Sequence, residues 1–390
     1  MGYCFGSDAR RRVILRSEAT KDLEKLANAD VAIVGAGPAG STLAALLARR
    51  GVSVALIDRD RFPRDKLCGE FLSYDALPVL EHLGLSLPET PAIARCRVVG
   101  RHRTYEFAFP HAARGVSRLL LDDLLLRTAK AAGAEVLDGC IATSVSRDAV
   151  QTDRGEIRAR AVVGAWGRWG RFDQQLQRGF VHDHSHRNFG FKRHYRGTQP
   201  DGTIELYSFD RGYLGVSAVE NGITNICGLV HATRLVGHKG RWDTFIDEIR
   251  RQEPRLEAMY SRYEPAQDAF LSSEPVIFRA RSPIERDIFM IGDASGIVDP
   301  LTGSGMAMAI QSALLAAPCI VDGKSDLYRQ RHHEFFTSRI RWSRRIAFLL
   351  SRPALLDAAL RARTLGGYLL RRTRADRDEV ARLADVEFAR

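Results

Sequence analysis

The stretch VAIVGAGPAGSTLAALLARRGVSVALID, residues 31–58, decides the fold of this 390-residue chain. Its first four residues form a short apolar run typical of a buried strand, and a GxGxxG pattern follows at once. An alanine- and leucine-rich helix then ends near Gly51, where a glycine C-cap is expected. The apolar run at residues 52–57 is a second strand. This order predicts a Rossmann-like βαβ unit.

Each glycine of the pattern has its own task in such a unit. Gly35 permits the tight turn, Gly37 lets a phosphate approach the backbone, and Gly40 lets the helix pack close to the strand. Asp58 follows about 20 residues later, where a carboxylate accepts hydrogen bonds from a ribose. The pattern predicts a dinucleotide site; the alternative is a structural turn whose spacing is accidental.

A second glycine-rich junction, RDIFMIGDASGIVDPLTGSGMAMAIQSA, lies at residues 286–313. A Rossmann domain that binds only NAD has no need of it, whereas FAD bound in an extended form does. We therefore predict FAD, with Asp293 near the ribityl hydroxyls or the pyrophosphate and the loop at residues 300–305 under the flavin ring. The helix from Met306 directs its positive end at the ring. The alternative is a strand–turn–helix in which an aspartate caps the helix.

These two stretches resemble the FAD signatures of the para-hydroxybenzoate-hydroxylase-like flavoproteins. The segment RFPRDKLCGEFLSYDALPVLEHLGL, residues 61–85, resembles their geranylgeranyl reductase branch and its relatives, which include flavin halogenases and bacterial monooxygenases. The resemblance covers roughly residues 29–317. It implies an α/β fold: a Rossmann-like FAD-binding domain with an inserted antiparallel β-sheet substrate domain and a C-terminal helical tail. It also implies that the chain is an enzyme, an FAD-dependent oxidoreductase.

The glycine stretches and the resemblance together give a set of expected cofactor-binding residues. They are Gly35, Gly37, Pro38, Ala39, Gly40, Asp58, Arg59, Arg64, Lys66, Gly69, Arg118, Gly292, Asp293, Pro300, Gly303, Gly305 and Met306. Within this set, Arg64 and Lys66 are expected to meet a phosphate or the charge of a reduced flavin. The family carries an arginine like Arg118 near the pyrophosphate or the nicotinamide groove; the alternative for Arg118 is a surface salt bridge.

A required acid–base residue is not identifiable, and the catalytic candidates near the flavin are Cys68, Glu70 and Trp166. Cys68 is either a substrate-side residue or a small buried hydrophobe. Trp166-Gly167 stands where many hydroxylases have Asp-Gly, which argues against hydroxylase-type binding of a pyridine nucleotide. Trp166 and Trp169 stack on a ring or pack the domain junction. The expected electron donor is NAD(P)H or a separate reductase.

Strand-like runs separated by DG, RG and NG turns follow Phe189, and a hairpin is predicted at residues 95–110. The predicted organisation is an N-terminal extension (1–28), a discontinuous FAD-binding domain (29–90, 111–175, 275–320), a β-sheet substrate domain (91–110, 176–274) and a basic helical C-terminal region (321–390).

Charge and composition narrow the remaining possibilities. The net charge is +11, and residues 339–374 hold ten arginines but a single acid, Asp357. This region reads as two or three amphipathic helices, broken near Arg352-Pro353 and Gly366-Gly367, which either cover the FAD-binding domain or lie on an anionic membrane. No nucleic-acid-binding module is recognisable. The six cysteines form no CxxC pair and no apolar run reaches 18 residues, so the expected setting is cytoplasmic, with possible peripheral membrane contact.

The alternation of histidines at positions 182, 184 and 186 suggests a metal site, but without supporting acids or cysteines a polar loop is the preferred interpretation.

The preferred function is a monooxygenase that hydroxylates a lipophilic aromatic or polyketide-like small molecule. The alternative is a geranylgeranyl-reductase-like flavoprotein that saturates isoprenoid double bonds; the Cys-Gly-Glu at residues 68–70 favours it. YLGVSAV at residues 213–219, where archaeal-type reductases have YxWxFP, argues against it. The WxWxIP motif of halogenases is absent. A non-catalytic flavin-binding or membrane-associated protein is the alternative of another class.

Overall fold

A computed structural model describes residues 28–168, 170–183, 188–361 and 365–388 of the chain. The predicted N-terminal extension, apart from Asn28, lies outside the described residues, and so do Trp169, His184 and His186. Among the helices described, none combines the length and the apolar character needed to cross a membrane.

The described strands, numbered in chain order, are β1 (Asn28–Val34), β2 (Val54–Asp58), β3 (Phe71–Leu72), β4 (Ala92–Val99), β5 (Thr104–Gly115), β6 (Glu135–Asp138), β7 (Ala142–Val145), β8 (Ala149–Thr152), β9 (Gly155–Gly164), β10 (Asn188–Gly197), β11 (Thr203–Phe209), β12 (Gly212–Ala218), β13 (Thr224–His231), β14 (Tyr263–Pro265), β15 (Leu271–Ser272), β16 (Ile284–Glu285) and β17 (Ile288–Met290). The described helices are α1 (Pro38–Arg49), α2 (Leu77–His82), α3 (Arg118–Ala131), α4 (Arg171–Gln175), α5 (Trp242–Gln252), α6 (Pro254–Tyr260), α7 (Gly305–Val321), α8 (Ser325–Leu350), α9 (Pro353–Ala359), α10 (Leu365–Thr373) and α11 (Arg377–Phe388).

The first sheet is the predicted Rossmann-like sheet, in the order β16-β17-β9-β1-β2-β6. Its central strand β1 pairs in parallel with β2 and β9. Val31 and Ile33 of β1 pack into the core that α1, α3 and α7 share, whereas Ala32 and Val34 pack on the opposite face with β7, β8 and β9. Both faces are therefore covered, which is why the strand is apolar throughout rather than alternating.

The second sheet is the predicted antiparallel one, in the order β14-β10-β13-β12-β11-β4-β5-β3, with a single parallel pairing between β11 and β4. The hairpin predicted at residues 95–110 is present as β4 and β5, and its strands run beyond both predicted ends. Leu214, Val216 and Ile226 pack against α5 and α6 on one face. The intervening residues face the interior between the two sheets.

The C-terminal helices close the remaining side of this interior. The long helix α8 packs on α7 and α10, while α9 and α10 contact the second sheet. The predicted break at Arg352-Pro353 is confirmed, because α8 ends at Leu350 and α9 begins at Pro353. The second predicted break, near Gly366-Gly367, falls slightly earlier, because α9 ends at Ala359 and α10 begins at Leu365 and runs through both glycines. A Cβ on Gly366 would stand 2.6 Å from the Phe107 ring, so this glycine allows the helix to approach β5 closely.

Candidate functional site

A cavity of about 980 Å³ lies between the two sheets and the C-terminal helices. This volume is at the upper end of the range for small-molecule and cofactor sites. Apart from Gly40, every residue predicted to bind the cofactor lines this cavity, and so do Cys68, Glu70 and Trp166. The structure thus brings together segments that lie more than two hundred residues apart in sequence.

The first glycine turn has the geometry that its sequence predicts. Gly35 has φ +111°, and a Cβ there would overlap the Ala165 carbonyl group. A Cβ on Gly40 would overlap the Gly35 carbonyl oxygen, so Gly40 serves packing instead of lining the cavity. At Gly37 the nearest atom to an added Cβ is Arg118 Nη2, 3.7 Å away. Space is therefore left above the first turn of α1, where a phosphate meets free amide groups.

Asp58 and Arg64 stand beside this turn. Asp58 Oδ2 accepts from the Ala36 amide at 2.7 Å and Oδ1 accepts from the Asp60 amide at 2.9 Å, which fixes the carboxylate against the glycine turn. Among the described residues, the buried Nε and Nη1 of Arg64 have no hydrogen-bond partner, although Asp60 and Asp122 lie within ion-pair distance. Buried donors without acceptors at a cavity wall suit an anionic or hydroxyl-rich ligand.

The second glycine junction completes the opposite wall. Asp293 lines the cavity, and burial raises the pKa of its carboxyl group although Arg168 and Arg281 oppose the shift. Gly303 has φ +63° and packs so close to Phe71 that a Cβ would stand 2.5 Å from its ring. The helix α7 begins at Gly305, one residue before the predicted start. Together with the open Gly37 turn and the unpartnered nitrogens of Arg64, this wall fits the predicted FAD.

Two basic residues on the cavity wall, Lys66 and Arg118, also form ion pairs with acids of the protein. Lys66, predicted near a phosphate, pairs with Asp60 at 2.9 Å. Arg118, predicted near the pyrophosphate, lines the cavity and also forms a bidentate ion pair with Asp122, at 2.6 and 2.7 Å. Arg118 thus forms a salt bridge, as the alternative predicted, but its partner Asp122 is buried and does not lie at the surface.

A buried charge network that the sequence did not reveal surrounds Glu70. Lys192 Nζ lies 2.6 Å from both Glu70 Oε1 and Asp65 Oδ1, and His194 Nε2 lies 2.7 Å from Glu70 Oε2. Burial alone would lower the pKa of Lys192, but Glu70 and Asp65 together raise it. The network ties β10 to the loop that contains Cys68, whose Sγ accepts from the Glu70 amide at 3.4 Å. The alternation of Lys192 and His194 on β10 was the only sequence signal for it.

Trp166 lies in the loop after β9. Its ring centroid is 5.0 Å from that of Phe172, and its Nε1 donates to Asp173 Oδ1 at 3.3 Å. Asp173 also pairs with the buried Arg178 at 3.0 Å. Of the two roles expected for Trp166, packing is the one that these contacts support, and the residue also lines the cavity.

Alternate residues of the second sheet form the roof of the cavity. Tyr213 and Gly215 of β12 lie beside Cys227 and Leu229 of β13 on this face. The Tyr213 hydroxyl donates to Asp299 Oδ1, immediately before the loop predicted to lie under the flavin ring. Burial raises the pKa of Asp299 to about 6. Neither Tyr213 nor Asp299 is among the site residues that were predicted from the sequence.

The end of the cavity away from the glycine turns is apolar. It lies where β4, β5 and β11 face the C-terminal helices, and the sequence did not predict that those helices contribute to it. Its lining includes Val98, Phe107, Leu206, Leu350, Leu360 and Leu370. The cavity therefore joins a polar, phosphate-compatible part to an apolar part of aliphatic and aromatic side chains.

Comparison with known proteins identifies relatives along most of the chain. Residues 28–321 match the FAD binding domain family. The menaquinone reductase of Mycobacterium tuberculosis is 28% identical over 365 residues, which cover 84% of this chain and 86% of that protein. The tryptophan 2-halogenase of Chondromyces crocatus is 26% identical over 76% of this chain and 62% of its own length. The structure of a geranylgeranyl bacteriochlorophyll reductase-like protein from Thermoplasma acidophilum superposes with a TM-score of 0.74 at 19% identity, covering 92% of this chain and 99% of that one.

Proposed function

The chain belongs to the FAD binding domain family, as an FAD-dependent oxidoreductase of the para-hydroxybenzoate-hydroxylase-like superfamily, and on this premise we propose that it saturates a carbon–carbon double bond in the isoprenoid chain of a lipophilic quinone. This choice reverses the preference drawn from the sequence, which placed hydroxylation first. The observation that carries it is the apolar end of the cavity.

An isoprenoid chain matches that end in chemistry. Leu206, Leu360 and Leu370 offer it no hydrogen-bonding side chain, and the Phe107 ring lies among them. Burying such a chain contributes about 0.8 kcal/mol for each methylene group removed from water. The double bond that is reduced would lie nearest Tyr213 and the polar end, and the rest of the chain would extend along the apolar wall.

The relatives support the same choice. The menaquinone reductases match along 86% to 89% of their length, whereas the match to the tryptophan halogenase covers 62% of that protein. A menaquinone is a naphthoquinone that carries an isoprenoid chain. The small Gly215, which argued against a prenyl substrate in the sequence, lies on the cavity roof, where an added Cβ would be 3.4 Å from Leu206 Cδ2. Its effect is to leave room in the cavity for a bulky substrate.

The protein's own part in this reaction is to bind both partners, exclude water and supply a proton. When bound and reduced, FAD supplies a hydride, and the second hydrogen of the saturated bond enters as a proton. Tyr213 is our candidate donor, because this residue lines the cavity and burial keeps the pKa of its hydroxyl group well above the usual value. The Leu301 amide donates to both Tyr213 Oη and Asp299 Oδ1 at 3.1 Å, and so would stabilise negative charge left on the pair after proton transfer.

The test is product analysis with a menaquinone as substrate. The holoenzyme, reduced with dithionite without oxygen, is given the quinone, and the mixture is then exposed to air before mass spectrometry. We expect a quinone two hydrogen atoms heavier that survives the exposure. A product that reverts to the starting quinone in air would mean that only the ring was reduced. In a parallel incubation with NADH, NADPH and air, and with lipophilic aromatics as substrates, an oxygen-containing product would favour the monooxygenase instead.

A further inference from the structure

We propose that the outer surface of α8 and α10 binds an anionic lipid bilayer. Six residues define this basic aromatic surface: Arg341, Arg344, Arg345, Phe348, Tyr368 and Arg372. Membrane binding by this surface does not depend on the proposed function. It would, however, explain why the apolar end of the cavity lies beneath these helices.

One stripe of α8 carries most of this surface. Arg341, Arg344, Arg345 and Phe348 are spaced i, i+3, i+4 and i+7, which places them on one side of a helix. All four are exposed. Residues on the opposite side of α8, among them Leu350, are buried against the protein. The inner face of α8 is therefore covered by the protein. Packing within the protein does not explain why the exposed face carries arginines and a phenylalanine.

The positive charge of this face is not balanced within the protein. Within the ranges that the structure describes, Arg341, Arg344, Arg345 and Arg372 have no carboxylate within ion-pair distance. Asp357, the one acid among residues 339–374, accepts instead from the His102 amide at 3.0 Å. A group of unpaired arginines attracts an anionic surface, at about fivefold in affinity for each arginine near the headgroups.

Exposed apolar side chains accompany the arginines. Phe348 is 53% exposed and lies under the Arg352 guanidinium, whose Cζ is 3.5 Å from the ring centroid. Tyr368 of α10 is 38% exposed, and its ring is 5.5 Å from that of Trp342 on α8. Arg372 stacks on both of these rings. Trp and Tyr favour the interface of a bilayer, and a basic helix face with a protruding Phe suits the same place.

The inner side of the same helices makes a bilayer a better partner than a nucleic acid. Ile346, Leu349 and Leu350 of α8 line the cavity, on the same helix that exposes Phe348. The same is true of Leu369 and Leu370 beside Tyr368 on α10. The surface that contacts lipid would thus lie over the apolar end of the cavity, which gives a membrane-dissolved substrate a short path. An RNA could bind the arginines, but the position of this surface over the apolar end of the cavity would not contribute to RNA binding.

The test is sedimentation of the FAD-loaded protein with vesicles. One vesicle type is phosphatidylcholine alone and the other contains three parts phosphatidylcholine and one part phosphatidylglycerol. We expect binding only to the anionic vesicles and release by high salt. Replacing Arg341→Gln, Arg344→Gln and Arg345→Gln together should lower the partition coefficient on the order of a hundredfold. Phe348→Ser should weaken binding without changing its salt dependence.

A matched control removes the same charge elsewhere on the surface. Arg147→Gln, Arg241→Gln and Arg251→Gln change three exposed arginines that lie outside both the cavity and the basic aromatic surface. This variant should bind anionic vesicles as the wild type does. Equal binding by both triple variants, or no vesicle binding by the wild type, would overturn the proposal. Salt-dependent binding of the wild type to RNA without vesicle binding would overturn it too. None of these measurements requires turnover, so the result can be interpreted even if the proposed reaction does not occur.

Discussion

The Tyr213 hydroxyl lies 2.5 Å from Asp299 Oδ1, in the layer between the cavity roof and the loop that follows Asp299. The Leu301 amide donates to both partners, so the pair is held by the same backbone that carries the second glycine junction. Because both side chains are buried, either a proton is shared between them or a negative charge is held there at considerable cost. This arrangement suits a group that must give up a proton and recover it.

Replacing Tyr213→Phe removes the proposed donor while keeping the ring that packs near Leu229 and Val276. We expect the single-turnover rate of substrate reduction to fall about a hundredfold, the lower end of the usual effect of a general acid, with FAD content unchanged. Tyr260→Phe is the matched control, since Tyr260 is also buried but lies outside the cavity. If both variants retain the wild-type rate, Tyr213 is not the donor.

The carboxyl group of Asp299 should make turnover depend on pH. Burial raises its pKa to about 6, so the proton that refills Tyr213 is present below that pH and is lost above it. The rate should therefore fall as pH rises through about 6, and Asp299→Asn should remove this step from the profile. If this fall in rate persists in the variant, the titrating group is not Asp299.

The same raised pKa predicts an effect on stability. A carboxyl group whose folded pKa lies above its unfolded value favours the folded state at low pH and loses that contribution as pH rises from about 4 to about 6. Over this window wild-type protein should lose on the order of 3 kcal/mol relative to Asp299→Asn. Urea unfolding at several pH values measures the difference; parallel curves for the two proteins would show that Asp299 ionises normally.

Gly37→Val should yield a colourless protein. The valine side chain would occupy the space above α1, which is open to within 3.7 Å of Arg118 Nη2 and suits a phosphate. The absorbance of purified protein near the flavin bands measures this directly. Gly179→Val is the control, because Gly179 is exposed and an added Cβ there meets nothing within 4 Å. A yellow Gly37→Val protein would mean that the cofactor does not use this turn.

Gly215→Trp should separate substrate binding from cofactor binding. An indole at this position would project from β12 into the cavity roof, near Leu206, and fill space assigned to the substrate. We expect normal FAD content and a rise in KM of at least tenfold, whereas Gly215→Ala should change little. Loss of flavin from the tryptophan variant would place the cofactor, and not the substrate, under this part of the roof.

Lys192→Met should destabilise the protein by about 3–5 kcal/mol, since it leaves Glu70 and Asp65 without their buried cation. Adding Glu70→Gln should recover part of the loss, because one of the two uncompensated charges is removed. Chemical unfolding of the three variants forms the test. If the single variant is as stable as the wild type, the network is not charged in the folded protein.

The sequence predicted those parts of the site that depend on backbone conformation. Gly35 and Gly303 must adopt positive φ and Gly37 must leave space, so their positions are visible as glycines in a fixed order after a strand. The ion pair of Lys66 and the close packing of Gly366 were not predicted, because each depends on a tertiary neighbour: Asp60 in one case and the Phe107 ring in the other.

The roof and the apolar end were not predicted for a related reason. Tyr213 and Asp299 are 86 residues apart, and neither position alone differs from an ordinary strand or loop residue. The leucines of α8 and α10 that line the cavity look the same in sequence as leucines that merely cover a core. Only the packing of these helices against β4, β5 and β11 reveals that they enclose a space.

The most direct test of the proposed reaction compares two quinones with identical rings. The holoenzyme is reduced without oxygen and mixed with a quinone that carries an unsaturated isoprenoid chain, or with its analogue whose chain is fully saturated, while flavin absorbance is followed. If the double bond of the chain receives the electrons, the yellow colour of oxidised flavin returns with the unsaturated quinone and not with the saturated one. Equal return of the colour with both would mean that the ring is reduced, and would contradict the proposed function.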